Sequence, residues 1–401
     1  MRHKLGTAKL PVDWNLAMIF GVTLTAVMGV TSLAPAFPKI TQVFGLTEWQ
    51  VGWLITAFTL PGVVLTPILG VVADRLGRKW VLVPSLLLFG IAGGLCAFAP
   101  NFQWVVFLRV WQGIGAAALG SINVTILGDL YQGPARARAM GLNASVLSIG
   151  TACYPILGGA LAVASWNYPF LLPWLAIPLA VVVARFMRNP EPAGQNDLRQ
   201  YLQSAWLGLK NRKVLGIFLV GIITFIVLYG CYLTYLSQLL GREYQASSFA
   251  IGVIMFSMSF TTAMVSAQLG KLTRRFAKRN LAIFAFCAYV VALAIIPFVG
   301  RLELFVIPTL VFGVGHGLNI PSLQTMLAEQ APLEYRAIFM SLNGMMLRIG
   351  QTLGPLLMGL VFVYGHFQAV FWVGSLLAVV GALVVGLFLR DSVPQGAGGK
   401  G

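Results

Sequence analysis

Apolar residues along the chain gather into long blocks, separated by short stretches of charged and turn-forming residues. The blocks run about 20 residues with little internal charge, the length an α-helix needs to cross ~30 Å of hydrocarbon. They lack the ~10-residue alternation of barrel strands, so an outer-membrane barrel is excluded. The pattern predicts twelve membrane-spanning helices, over residues 14–38, 51–73, 80–100, 104–126, 141–164, 168–187, 214–239, 248–270, 281–300, 304–326, 338–363 and 369–389. The longest polar stretch, 188–213, splits them into two sixes. Within it Leu198, Tyr201, Leu202, Ala205, Trp206 and Leu209 recur at helical spacing, which predicts an amphipathic helix on the membrane surface.

The two sixes repeat one another at an offset of 200 residues. Gly52 matches Gly252, Gly70 matches Gly270, Arg75 matches Arg275, and Gly113 and Gly115 match Gly313 and Gly315. Arg136, Met140, Asn143, Gly150, Pro155 and Gly159 likewise match Arg336, Met340, Asn343, Gly350, Pro355 and Gly359. A single register shared by so many residue types predicts an all-α integral membrane fold of two parallel six-helix bundles, residues 1–187 and 214–401, joined by the 188–213 linker. Such repeats, related by an axis along the membrane normal, are the architecture of alternating-access carriers with a site between the halves near the midplane.

Composition agrees with the spans: 58% of residues are hydrophobic and 9% charged, against roughly 45–50% and about 25% in soluble chains. An ordinary water-soluble enzyme is therefore excluded. The formal charge of +16 is segregated rather than spread. Basic residues cluster in alternate inter-helix segments (Arg75, Arg78, Lys79; Arg136, Arg138; Lys271, Arg274, Arg275, Lys278, Arg279), and the segments between hold only Lys39, Arg242 and Arg301. By the positive-inside rule the basic loops and both termini are predicted to be cytoplasmic, and a nucleic-acid partner is not expected. Cys96, Cys153, Cys231 and Cys287 fall inside apolar blocks without metal-ligand spacing and read as small core residues, with no disulfide framework and no metal site. Ala34-Pro35-Ala36 has the look of a signal-cleavage site, but the apolar stretch before it is too long for a signal core, so the first helix is expected to be retained.

After the second span, Gly70 to Lys79 carries Asp74, Arg75, Gly77 and Arg78 at spacings that resemble the signature loop of the major facilitator superfamily. Physically, Gly70 is expected to let two helices approach, Gly77 to permit a tight turn, and Asp74 with the basic cluster to form a charge latch with an acid such as Asp129. The copy in the second half has Arg274 in place of Asp74, so the latch is expected to be asymmetric. Further segments resemble the twelve-helix drug/proton antiporter branch of that superfamily. They are Gly29 with Pro35 and Pro38 in the first helix, and Arg109, Gln112, Gly113, Gly115 and Ala117 in the fourth. The fifth adds Gly141, Gly150, Pro155, Gly158 and Gly159. The resemblance implies proton coupling through Arg109. Tyr154 departs from the branch, standing where its motif has the glycine before proline.

A charged side chain at the centre of a span costs at least ~2.5 kcal/mol, so each ionisable group there is a functional hypothesis. Arg109, His316 and Arg348 fall well inside the spans, whereas all 11 acids map to loops or span ends. Arg109 and Gln112 share a stripe, His316 and Asn319 occupy the equivalent stripe of the tenth helix, and Gly344, Arg348, Gln351 and Pro355 share one on the eleventh. With Asn143, Asn343, Tyr229 and Tyr232, these residues are expected to line a shared aqueous cavity. His316 has the one ordinary pKa, ~6.5, that makes protonation switchable near neutrality. A neutral histidine bonded to a neighbouring backbone is the plainer alternative, as a structural role is for the two arginines.

The leading expectation is a proton-coupled secondary exporter of amphipathic small molecules, of the multidrug-efflux type, working by alternating access. A carrier of one metabolite or lipid in the same fold is the alternative. A membrane enzyme would need a convergent catalytic group, and a nucleotide-driven pump a GxxxxGK[ST] loop; the sequence has neither. No cofactor is expected, the proton gradient being the energy source. The expected partners are a neutral or anionic amphipath, protons and the lipid bilayer of a bacterial inner membrane, with the chain working as a monomer.

Overall fold

The computed structural model describes residues 13–187, 210–330 and 336–389. The amphipathic helix expected in the linker falls on residues outside these. Every described element is helical. The spans are α1 (Trp14–Phe44), α2 (Gln50–Leu76), α3 (Arg78–Phe98), α4 (Phe102–Leu130), α5 (Gly133–Ala164), α6 (Tyr168–Phe186), α7 (Arg212–Arg242), α8 (Ser248–Arg275), α9 (Lys278–Phe298) and α10 (Leu302–Gln330). A last helical run, Arg336–Phe388, breaks at Gly365 and His366, where φ reaches −145° and +55°. It therefore holds two spans, α11 (336–364) and α12 (367–388), and the expected twelve are present. Large apolar side chains such as Leu60, Val64, Phe107, Leu360 and Leu383 stand exposed on the outside of the bundle, a surface that only lipid can cover.

Helix starts follow local chemistry. Asp13 Oδ1 accepts from Leu16 N at 2.8 Å to cap α1, Asn101 Oδ1 caps α4 from Trp104 N at 3.1 Å, and Ser247 Oγ caps α8 from Ala250 N at 3.2 Å. α1 runs past Pro38, where the sequence pattern ends it, because Pro35 and Pro38 each open a new helical segment and leave its hydrogen bonds intact. α7 contains a π-helical stretch, Val227–Leu236, that no sequence signal announced. Its wide turn is marked by Thr234 Oγ1 donating to Tyr229 O five residues back at 2.7 Å. At Gly230 the stretch packs so closely on α11 that an added Cβ would lie 2.7 Å from Gly354 O.

The halves join at the end of the bundle remote from the basic loops. Two crossings related by the repeat form the seam: a Cβ at Gly252 on α8 would lie 2.3 Å from Pro155 O on α5, and one at Gly52 on α2 would lie 3.0 Å from Pro355 Cβ on α11. Beside them Gly241 packs on Pro38, Ser237 Oγ donates to Ala34 O at 2.5 Å, Gln238 Nε2 to Thr41 Oγ1 at 2.6 Å, and Glu48 pairs with Arg242. Toward the basic end the same four helices lie apart, and a Cβ at Gly70, Gly141, Gly270 or Gly344 would meet nothing within 4 Å. The molecule is closed at one end and open at the basic end.

Candidate functional site

At the floor of the opening, α11 reaches from the second half into the first. Arg348 Nη2 donates to Ala116 O on α4 at 3.2 Å, and its chain lies over Gly62 of α2, where a Cβ would come within 2.8 Å of Arg348 Cδ. One turn further, Thr352 Oγ1 sits 2.8 Å from Thr59 Oγ1, and Thr56 Oγ1 donates to Thr352 O at 3.1 Å. On the α5–α8 side Ser259 Oγ donates to Thr151 O at 3.1 Å. The predicted stripe from Gly344 through Arg348 to Pro355 thus faces the opposite half. Asn343 and Gln351 are half-buried on the same helix, and half-buried Tyr229 stacks on Phe225 with ring centres 5.8 Å apart. The threonines were not singled out from sequence, since a hydroxyl in an apolar run has no distinguishing pattern.

Other residues expected in the shared cavity lie inside their own half instead. Arg109 is 1% exposed. It donates to Leu54 O at 2.9 Å, Gly29 O at 2.8 Å and Gln112 Oε1 at 2.8 Å, and lies 4.3 Å above the Phe58 ring. It ties α1, α2 and α4 together, and backbone carbonyls supply the acceptors that no carboxylate provides. Gln112 is fully buried beside it. Asn143 accepts from Thr23 Oγ1 at 2.6 Å, and Thr23 in turn accepts from Asn123, a polar chain that links α1, α4 and α5. Tyr232 is buried, donates to Met255 O at 3.2 Å and stacks on Phe312, so it is core and not cavity wall.

In the second half, half-buried His316 lies with Nδ1 3.0 Å from Tyr289 Oη, a side-chain partner in place of the backbone one of the plainer alternative. Asn319 is fully buried, donating to Thr224 Oγ1 at 2.7 Å with its Oδ1 lacking a partner among the described residues. Cys96 and Cys231 are core residues as expected, but Cys153 and Cys287 are exposed on the outside of the bundle.

At the basic end of the first half, Gly77 adopts φ +99°, a turn that favours glycine. It aims Arg78, 6% exposed, between Asp74 and Asp129, with Nε 3.1 Å from Asp129 Oδ2. Arg78 therefore links α2, α3 and α4, and Lys79 Nζ reaches Met187 O at 3.3 Å. Arg75 is exposed. Gly70 faces open space, contrary to the close approach expected of it. Nearby, Tyr131 Oη donates to Asp13 Oδ1 at 2.8 Å, and burial together with the Asp13 carboxylate pushes its phenol above the ordinary value. In the second half Lys278 pairs with Glu329, and Arg279 Nη2 donates to Gly386 O at 2.9 Å.

The α5 motif is a packing device. A Cβ at Gly150 would lie 2.8 Å from Leu24 Cδ2, at Gly158 1.8 Å from Ser32 O, and at Gly159 2.4 Å from Ser248 O. Pro155 O takes the Gly252 crossing, and Tyr154 is buried at 8% exposure. Gly141, in contrast, faces open space.

The chain and its fold have counterparts among known proteins. The bacillibactin exporter of Bacillus subtilis is 26% identical over 362 residues, covering 85% of this chain and 88% of that protein. A multidrug transporter protein of the same organism, MdtP, is 29% identical over 171 residues, 42% of this chain and 31% of that one. Among solved structures, a bacterial homolog of the human lysosomal transporter Spinster superposes with a TM-score of 0.78 at 17% identity, over 96% of this chain and 98% of that one. The human organic anion transporter MFSD10 gives 0.71 at 19% identity, over 94% of this chain and 100% of that one. The Major Facilitator Superfamily pattern itself matches residues 19–240 and again 218–401, once for each half. With its helical duplication, this chain belongs to the Major Facilitator Superfamily and is a multi-pass membrane transporter.

Proposed function

We propose that the chain exports small amphipathic molecules, neutral or anionic, across a bacterial inner membrane in exchange for protons. The observation that carries this reading is Arg348, a cation at the floor of a cleft open at the basic end, with every acid of the spans at a span end and none beside it to attract a cationic substrate. The basic loops assign that end to the cytoplasm, so the cleft takes substrate from inside. The bacillibactin exporter among the relatives supports the direction. Alternating access needs two states of similar free energy, biased by contacts that differ between them. Opposite the cleft the differential contacts are the two glycine–proline crossings and Glu48–Arg242. At the cytoplasmic end the Asp74–Arg78–Asp129 cluster holds α2, α3 and α4 as one body that must move together. Arg109 stiffens the first half, and His316 is the group suited to carry the proton. Gln351, Asn343 and Tyr229 flank Arg348 as substrate contacts.

Flux measured in proteoliposomes with and without a pH gradient tests this. Gradient-driven transport of an anionic or neutral dye, with a permanent dication transported at least tenfold more slowly, is the expected result. Gradient-independent flux identifies a uniporter, and preference for the dication rules out Arg348 as the selecting charge. Orientation is read from Gln195→Cys: labelling from outside in intact cells overturns it.

A further inference from the structure

Charge inversion between the repeats leaves a basic cavity at the end of the second half. At the 200-residue offset, Asp13, Asp74 and Tyr131 correspond to Lys213, Arg274 and Ala331. In the first half those three side chains are committed: Asp13 caps α1 and accepts from Tyr131, while Asp74 and Asp129 hold Arg78. In the second half Lys278 takes the Arg78 position and pairs with Glu329. The Lys213 ammonium and the Arg274 guanidinium have no hydrogen-bond or ion-pair partner among the described residues. Two acids that neutralise one half are thus two unneutralised cations in the other.

Between the ends of α7, α8, α9 and α10 lies a cavity of about 260 Å³. Lys213, Lys278 and Gln330 give it donors, Thr273 Oγ1 donates to Leu269 O of its own helix, Glu329 is engaged with Lys278, and Phe276 and Met326 form an apolar wall. A second cavity of about 440 Å³ shares Lys213 and Gln330 and adds Arg212.

We propose that these neighbouring cavities, which share Lys213 and Gln330, bind the phosphate headgroup of an anionic phospholipid. The donors and the unpaired charge suit a phosphodiester, and basic pockets between helix ends on this side of a membrane are where such headgroups collect. The apolar wall suits the glycerol and first methylenes of a lipid and has no use for a free phosphate ion. Each cation at such a surface strengthens attraction to anionic lipid by about fivefold. Its lining residues are distinct from Arg348 and the side chains that flank it, so lipid is expected to bind whichever substrate is carried.

The full chain in neutral detergent, titrated with phosphatidylglycerol and followed by its thermal midpoint, tests the site. Saturable stabilisation is expected with phosphatidylglycerol and none with phosphatidylcholine or millimolar inorganic phosphate. Lys213→Gln is expected to raise half-saturation about fivefold and Lys213→Arg to leave it unchanged. Arg185→Gln, which removes an exposed charge at the same end of the first half, is expected to leave it unchanged too. Equal weakening by Arg185→Gln, or equal stabilisation by phosphatidylcholine, overturns the site. Stabilisation by inorganic phosphate alone overturns the lipid assignment.

Discussion

The first half settles Arg78 and Arg109 internally; the second leaves the Lys213 and Arg274 side chains at its edge without a partner among the described residues. Arg78 sits between two aspartates, and Arg109 is wrapped in carbonyls with a ring beneath it. At the matching positions the second half has Lys278 with one acid and Thr309, which bonds within its own helix and to Ser257. It contributes instead Arg348 and His316, whose counterparts are Ser148 and Ala116. The crossings did not diverge in this way: Gly252 meets Pro155 as Gly52 meets Pro355. Close backbone approach tolerates no Cβ, so both copies keep glycine, whereas a charge needs only a partner and can be traded wherever one is found. The first half therefore resembles a rigid body, and the second carries the groups proposed to select substrate and to switch.

The largest expected effect breaks the crossings. Gly252→Ala drives a methyl into the Pro155 carbonyl, an overpacking cost of ~1–3 kcal/mol, and transport in proteoliposomes is expected to fall at least tenfold. Gly52→Ala, with 3.0 Å to a side-chain carbon, is expected to fall less. Equal losses would mean that the two crossings do not differ in tightness.

Next comes the rigid-body claim. Arg109→Ala orphans Gly29 O and Gln112 Oε1, at ~1–3 kcal/mol for each buried group left unsatisfied. The purified variant is expected to lose several degrees in thermal midpoint, against a degree or two for Thr309→Ala. A stable but inactive Arg109→Ala protein would move the residue from structure to coupling.

Asp74→Asn and Arg274→Asn compare the two ends of the repeat. Asp74→Asn is expected to reduce transport about fivefold at unchanged protein level, a shift of ~1 kcal/mol in the balance of states. Arg274→Asn is expected to stay near wild type, and wild-type transport by Asp74→Asn removes the aspartate from any latch.

The smallest effects concern pH. If His316 carries the proton, its neutral form dominates above its pKa and its charged form below, and His316→Gln abolishes that step in the pH profile. Tyr289→Phe keeps the imidazole but loses its 3.0 Å partner, so the step is expected to move without vanishing. Unchanged profiles in both variants would shift the proton route to loop acids such as Asp74 or Asp129.

The amino-acid sequence alone predicted the twelve spans from the length of its apolar blocks, the duplication from matches at a 200-residue offset, and, from helical periodicity, the stripe from Gly344 to Pro355 that faces the other half. It also located the turn at Gly77 and the charges around it, because glycine at positive φ and a short loop are local properties. Which neighbour each polar face meets was decided by the tertiary structure. Arg109 and Arg348 look alike in sequence, yet one is enclosed in its own bundle and the other spans the seam. Cys153 and Cys287 face outward although they lie in apolar runs like Cys96 and Cys231. Inside a membrane both lipid and protein are apolar, so hydrophobicity fixes that a helix is buried but not how it is turned. The open space at Gly70 and the unneutralised Lys213 depend likewise on how the helices splay and on which cations find partners, and both follow from packing between segments far apart in the chain.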